Sequence, residues 1–139
     1  MQRLKSRRQF QAVLAGSTLA RTPHFALHTV ALNADPVDLA AKPLFNMPAV
    51  WLGAMVPKRW AKRAVTRNTL KRQIYAVSAL YQAQLPVAAY VVRLRSGFDR
   101  VQFLSASSDA LKLAARTEMH QLLERAMRTL SGAQSPVAA

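Results

Sequence analysis

The chain of 139 residues contains no cysteine. That excludes disulfides, thiolate zinc sites and thiol nucleophiles, and it is compatible with a reducing compartment. Acids are scarce: six Asp and Glu stand against 20 Lys and Arg, for a formal charge of +14. Those six, Asp35, Asp38, Asp99, Asp109, Glu118 and Glu124, are scattered along the chain. No carboxylate pair accompanies the basic residues to hold a divalent cation, and Asp35 with Asp38 reads as turn chemistry in a Pro-containing loop. Long apolar runs are missing as well. The longest, Val87 to Val92, falls well short of the roughly 20 residues that span a bilayer, so no membrane segment is expected.

What is present can fold. Half of the residues (51%) are hydrophobic, enough for the core of one domain at this length. The expected organisation is a single domain over 1–130, with a long loop at 33–48 and a flexible tail at 131–139. The charge is uneven: residues 1–72 hold 13 bases and two acids, net +11, and residues 73–139 hold seven and four, net +3. Such a field attracts polyanions, and its partner surface should come mainly from the first half. The Arg-rich, acid-free opening also has the look of a mitochondrial targeting segment. The bases continue through Arg72, however, and a removable leader would not account for them.

Periodicity places the elements. Phe10, Val13 and Leu14 recur at helical spacing between Ser6, an N-cap candidate, and Gly16, a stop. From His24 to Asn33 the chain alternates, with His24, Ala26, His28 and Val30 on one face and Phe25, Leu27 and Thr29 on the other. Pro36, Pro43 and Pro48 mark the following loop, and Ala49 to Val56 reads as a second strand. Leu70, Ile74, Val77 and Tyr81 form one stripe of a helix from Ala64 to about Gln82. Val87 to Arg95 is a third strand, and Val101 to Leu104 a short extended piece. Ser107, Ser108 and Asp109 are cap candidates for a last helix whose core face is Leu111, Ala115, Met119, Leu122, Ala126 and Leu130. The order α-β-β-(β)-α-β-α predicts an α+β two-layer sandwich, a small sheet with helices packed on it, containing a βαβ unit.

Between Lys58 and Arg72 lie seven cations, Lys58, Arg59, Lys62, Arg63, Arg67, Lys71 and Arg72, with no acid among them. A merely solvated helix face interleaves acids that form i,i+4 pairs; here like charges repel until a partner supplies the negative charge. The arginines and the Asn68 amide suit the planar, bidentate recognition of phosphate in a folded nucleic acid. A membrane-surface helix would need its apolar side for lipid, whereas this one needs it for the core.

The stretch "KRWAKRAVTRNTLKRQI" resembles the signature of the protein component of bacterial ribonuclease P. The matching positions are Lys58 and Arg59, Ala64 and Val65, then Arg67, Asn68, Lys71 and Arg72. The opening "RLKSRRQFQAVLAGS", the strand "HFALHTV" and the strand "YVVRLR" are similar to the family's in the same order. Four positions depart from it: Thr69 stands where the family has a second Arg, Pro57 where it has Ser, and Tyr75 with Ala76 where Arg-Glu is common.

The resemblance implies a subunit of a ribonucleoprotein that removes the 5′ leader of precursor tRNA, in the bacterial cytoplasm. It implies that catalysis belongs to the RNA and its bound Mg²⁺, with no catalytic residue and no cofactor on the protein alone. Lys58, Arg59, Lys62, Arg63, Arg67, Asn68, Lys71 and Arg72 are then expected on the catalytic RNA. Phe10, Leu14, Ala26 and His28 are expected in a cleft for the single-stranded leader. The partners would be the catalytic RNA and precursor tRNA, with no membrane and no protein partner. Composition and the basic helix fit equally well a structural RNA-binding protein of the ribosome-associated kind. A protein nuclease would want the missing carboxylate cluster, and a DNA-binding module a helix free to enter a major groove. His24 and His120 carry no expected role.

Overall fold

The computed structural model describes residues 1–32, 44–98 and 109–134. The chain opens with a two-residue strand, β1 (Gln2–Arg3), and turns at Ser6 into α1 (Arg7–Leu14). Ser6 accepts from the Gln9 backbone while the Gln9 side chain accepts from the Ser6 backbone, a reciprocal cap that starts the helix where the sequence indicates. Beyond Gly16 the chain forms β2 (Ser17–Arg21) and β3 (Phe25–Val30). Their antiparallel ladder shifts register between Thr18 and Ala20. A Cβ at Gly16 would run into the Thr29 carbonyl, so a residue without one is needed where the helix meets the hairpin.

β4 (Trp51–Met55), α2 (Ala64–Leu80) and β5 (Ala89–Leu94) make the expected βαβ unit, with α2 as the crossover between parallel neighbours. A single 3₁₀ turn, Gln82–Gln84, follows α2. The last helix, α3 (Asp109–Gln134), runs four residues past its expected end at Leu130. The extended piece Val101 to Leu104, the caps Ser107 and Ser108, the 33–43 part of the loop and the tail beyond 134 lie outside the described residues.

The five strands are ordered β1-β4-β5-β3-β2. The alternation read in β3 is realised on the two faces of this sheet. Phe25 and Leu27, with Leu52, Tyr90, Val92 and Leu94, meet Leu70, Ile74 and Val77 of α2 and Leu111, Ala115, Met119, Leu122 and Ala126 of α3. These two layers are the sandwich. Each large apolar side chain buried there contributes about 1.5–3 kcal/mol. On the opposite face α1 covers part of the sheet, where Val13 packs with Leu4, Phe45, Trp51, Ala89 and Val91. The end of the long loop is tied down on that side: Gln9 Nε2 donates to the Leu44 carbonyl (2.9 Å) and Trp51 Nε1 to that of Met47 (3.1 Å).

β1 and β2 have no counterpart among the expected elements. Gln2–Arg3 is too short to show a period, and Ser17–Arg21 alternates poorly across its register shift. α3 is joined to the β2–β3 turn by one buried carboxylate. Glu118 accepts from Thr22 Oγ1 (2.6 Å) and the His24 backbone (2.7 Å), and its other oxygen lies 2.7 Å from His24 Nδ1. His120 pairs with the Tyr81 hydroxyl (2.9 Å), so both histidines serve packing.

Candidate nucleic-acid interface

The basic loop is shaped by its own backbone. The amides of Trp60 and Ala61 both donate to the Pro57 carbonyl at 3.1 Å, which folds residues 57–61 into a turn. Arg67 then reaches back from the first turn of α2, and its Nη1 donates to the carbonyls of Ala61 (3.0 Å) and Lys62 (2.9 Å). Half-buried Arg67 is therefore a clamp on the loop, a role its place in a charge run did not reveal. Lys58, Arg59, Lys62, Arg63, Asn68, Lys71 and Arg72 are all exposed. Arg59 lies over the Trp60 ring, 5.3 Å from its centroid.

Arg63 caps α2 with extended backbone and no side-chain acceptor, and the first turn of the helix has no acid. Unsatisfied N–H donors and the positive end of the helix dipole thus sit among cations, an arrangement that draws an anion. Among the described residues the ion pairs are His24 with Glu118 and Lys112 with Asp109, and no described acid pairs with the basic segment. Every described Asp and Glu, namely Asp109, Glu118 and Glu124, belongs to α3.

Three of the four departures from the signature have structural roles. Thr69 is buried, and its hydroxyl donates to the Val65 carbonyl (2.9 Å), so this position does not lie on the exposed face. The Tyr75 hydroxyl accepts from the Ala54 amide in β4 (3.3 Å), while the Arg3 guanidinium stacks 3.9 Å from its ring centroid. Pro57 supplies the carbonyl that closes the turn. Ala76 is exposed and touches nothing that explains it.

The four residues expected in a leader cleft do meet on one face of the sheet, under and beside α1. Phe10 rests on Gly53, where a Cβ would come within 2.5 Å of its ring, so the glycine allows the helix its close approach. Phe10 and Leu14 are half-buried and present part of their surface. Ala26 and His28 do not: they are 0% and 7% exposed. The expectation of direct contact at these two positions is corrected by the sheet register, which sets Ala26 between the long side chains of Arg21 and Arg93. His28 is held by Thr18 (3.2 Å) and Arg93 (3.2 Å). Burial first, then the Arg93 and Arg21 charges, push its pKa below the ordinary value.

The sequence reading passed over Arg21 and Arg93. Their signal was present in the alternation of Ala89, Val91 and Arg93, which puts a cation on the same face as Ala26 once the strands are paired. Among the described residues no group of three or more His, Asp or Glu could hold a metal ion. No described helix is long and apolar enough to cross a membrane.

A family model described as Ribonuclease P matches residues 1–118. The ribonuclease P protein component of Bordetella parapertussis is 39% identical over 127 residues, which cover 91% of this chain and 92% of that protein. Its counterpart in Ralstonia pickettii is 33% identical over 129 residues, 93% and 81% of the two chains. Among solved structures, the RNase P protein of Staphylococcus aureus has the same fold, with a TM-score of 0.63 at 18% identity over 89% of this chain and 94% of that one.

Proposed function

The chain belongs to the ribonuclease P protein family, and on that premise we propose how its two surfaces divide the work of the holoenzyme. It is the protein subunit of ribonuclease P, associates with the ribonuclease P RNA and takes part in tRNA processing. In our reading the basic loop and the exposed side of α2 bind that RNA. Lys58, Arg59, Lys62, Arg63, Lys71 and Arg72 meet phosphates, Asn68 hydrogen-bonds beside them, and Arg67 holds the loop in the shape that presents them. The face under α1 takes the single-stranded 5′ leader of precursor tRNA, with Phe10 and Leu14 as its apolar wall.

Cleavage chemistry is assigned to the RNA, which would also hold the Mg²⁺ the reaction uses; the protein's own residues bind and orient. The bacterial cytoplasm is the proposed location. The observation that carries this reading is the uncapped N-terminus of α2, surrounded by exposed cations with no compensating acid among the described residues.

Mixing the protein with a bacterial ribonuclease P RNA at low Mg²⁺ and a 5′-labelled precursor tRNA tests it. Release of an intact leader by the mixture, and by neither component alone under those conditions, is expected. Tight RNA binding with no stimulation of cleavage would instead make the protein a structural RNA-binding subunit.

A further inference from the structure

The sheet face under α1 carries positive charge that no described acid balances. Register sets Arg21 of β2 opposite Ala26 of β3, and Ala26 opposite Arg93 of β5. Directly paired residues share a face, so the two arginines flank a single methyl group, their Cα atoms two strand spacings, about 10 Å, apart. Neither α1 nor any of the five strands contains an Asp or Glu.

The next row of the sheet is Thr18, His28 and Val91. Arg93 Nε donates to His28 Nε2 at 3.2 Å, which requires a neutral ring with its proton on Nδ1. That proton faces Thr18 Oγ1, also at 3.2 Å. Thr18 thus orients His28, and His28 orients the guanidinium of Arg93. Arg21 is held from the other direction. Arg125 Nη1 donates to the Arg21 carbonyl (2.6 Å), Arg95 Nη1 to that of Thr22 (2.9 Å), and Glu118 binds the Thr22 hydroxyl and the His24 amide.

We propose that Arg21 and Arg93 form a paired-arginine site for a backbone phosphate of the precursor tRNA leader, with Thr18 and His28 as positioning residues. The proposal rests on the reading of this face as the leader cleft and names the groups that would hold the leader there. The Arg93 guanidinium is oriented by His28 before the ligand arrives, which lowers the entropy cost of binding, while exposed Arg21 extends from a backbone fixed by Arg125. Ala26 is buried beneath them, so a phosphate would meet the guanidinium groups and not the sheet surface.

The described charges acting on His28 are Arg21 on β2 and Arg93 on β5, and the charged residues of α1, Arg7 and Arg8, are exposed cations. With burial, the two sheet arginines hold the free ring below its ordinary pKa. The neutral ring is the form that orients Arg93, because a proton on Nε2 would set two donors face to face and release the guanidinium. Leader affinity is therefore expected to fall as pH drops below the ordinary histidine value and the ring protonates.

The test measures, in the reconstituted holoenzyme, the affinity for precursor tRNA with a leader of several nucleotides and for mature tRNA, alongside the affinity of the protein for the catalytic RNA. Arg21→Gln, at an exposed position, and Arg93→Gln are each expected to weaken precursor binding roughly tenfold, the scale of one charge-assisted contact, and to leave the other two affinities unchanged. His28→Ala should loosen Arg93 and weaken precursor binding several-fold. His28→Gln, which keeps an acceptor for Arg93, should restore it at pH 7.5 while removing the fall at lower pH.

Equal losses for mature tRNA, or a loss of affinity for the catalytic RNA, would place these arginines on another ligand and overturn the proposal. Full precursor affinity in both Arg variants, with leader discrimination intact in the wild type, would remove the site and leave the wider function standing. A wild-type holoenzyme that does not distinguish precursor from mature tRNA would overturn both.

Discussion

Arg67 shows how little a side chain's type says about its task. It belongs by sequence to a run of cations, yet its Nη1 is spent on the carbonyls of Ala61 and Lys62. Lys71 and Arg72, one turn on, are exposed and reach no acid among the described residues. The two kinds of position should separate on mutation. Arg67→Ala is expected to lower stability by about 1 kcal/mol through loss of the loop clamp, and Arg67→Lys to weaken RNA binding although the charge is kept. Lys71→Ala and Arg72→Ala should leave the thermal midpoint in place while each reduces the magnitude of the log–log salt slope of RNA binding by about 0.7 for a single-strand contact. Thermal melts and salt titrations of the three sites read both quantities. A stable Arg67→Ala protein with lysine-like RNA behaviour would return Arg67 to the plain phosphate contacts.

At the scale of elements, the union of α3 with the sheet depends on Glu118 as well as on its apolar stripe. The carboxylate, 11% exposed, receives the Thr22 hydroxyl, the His24 amide and the His24 ring. Removing it leaves those groups without a partner at the β2–β3 turn. Glu118→Ala is expected to cost about 3 kcal/mol, and Glu118→Gln less because its carbonyl still accepts. Urea denaturation with an unchanged m-value would show this as a lower midpoint; a midpoint equal to the wild type's would mean that the stripe alone holds the helix. The stripe itself was legible in the chain: Leu111, Ala115, Met119, Leu122 and Ala126 are all buried, as their spacing requires. The polar lock was not legible, because Thr22 and Glu118 are separated by 96 residues and only the docked helix brings them to 2.6 Å.

At the scale of the molecule, the acids among the described residues are confined to one helix. The described acids all lie on α3, and the uncompensated cations lie on the loop before α2, on the exposed side of α2, and on the sheet face under α1. α3 sets four bases against three acids and is the described helix least suited to a polyanion. If about five cations meet single-stranded phosphate, the logarithm of the affinity for the catalytic RNA should fall against the logarithm of salt with a slope on the order of −3.5. Equilibrium binding between low and physiological salt measures it. A slope near zero would reduce the basic segment to a solvated surface.

The sequence by itself determined the basic segment and its lack of acids, the apolar stripes of α2 and α3 and the two-faced alternation of β3. It also carried the family signature around Arg67, Asn68, Lys71 and Arg72. These are local properties: a period of 3.6 or 2 and a run of like charge are visible without knowing what packs against them. Tertiary structure alone decided the burial of Ala26 and His28, the inward turn of Arg67, the roles of Thr69 and Tyr75, and the meeting of Arg21 with Arg93 across Ala26. Each depends on strand pairing and helix docking between residues far apart in the chain. Pairing by register, rather than residue type, sets which side chain stands beside which.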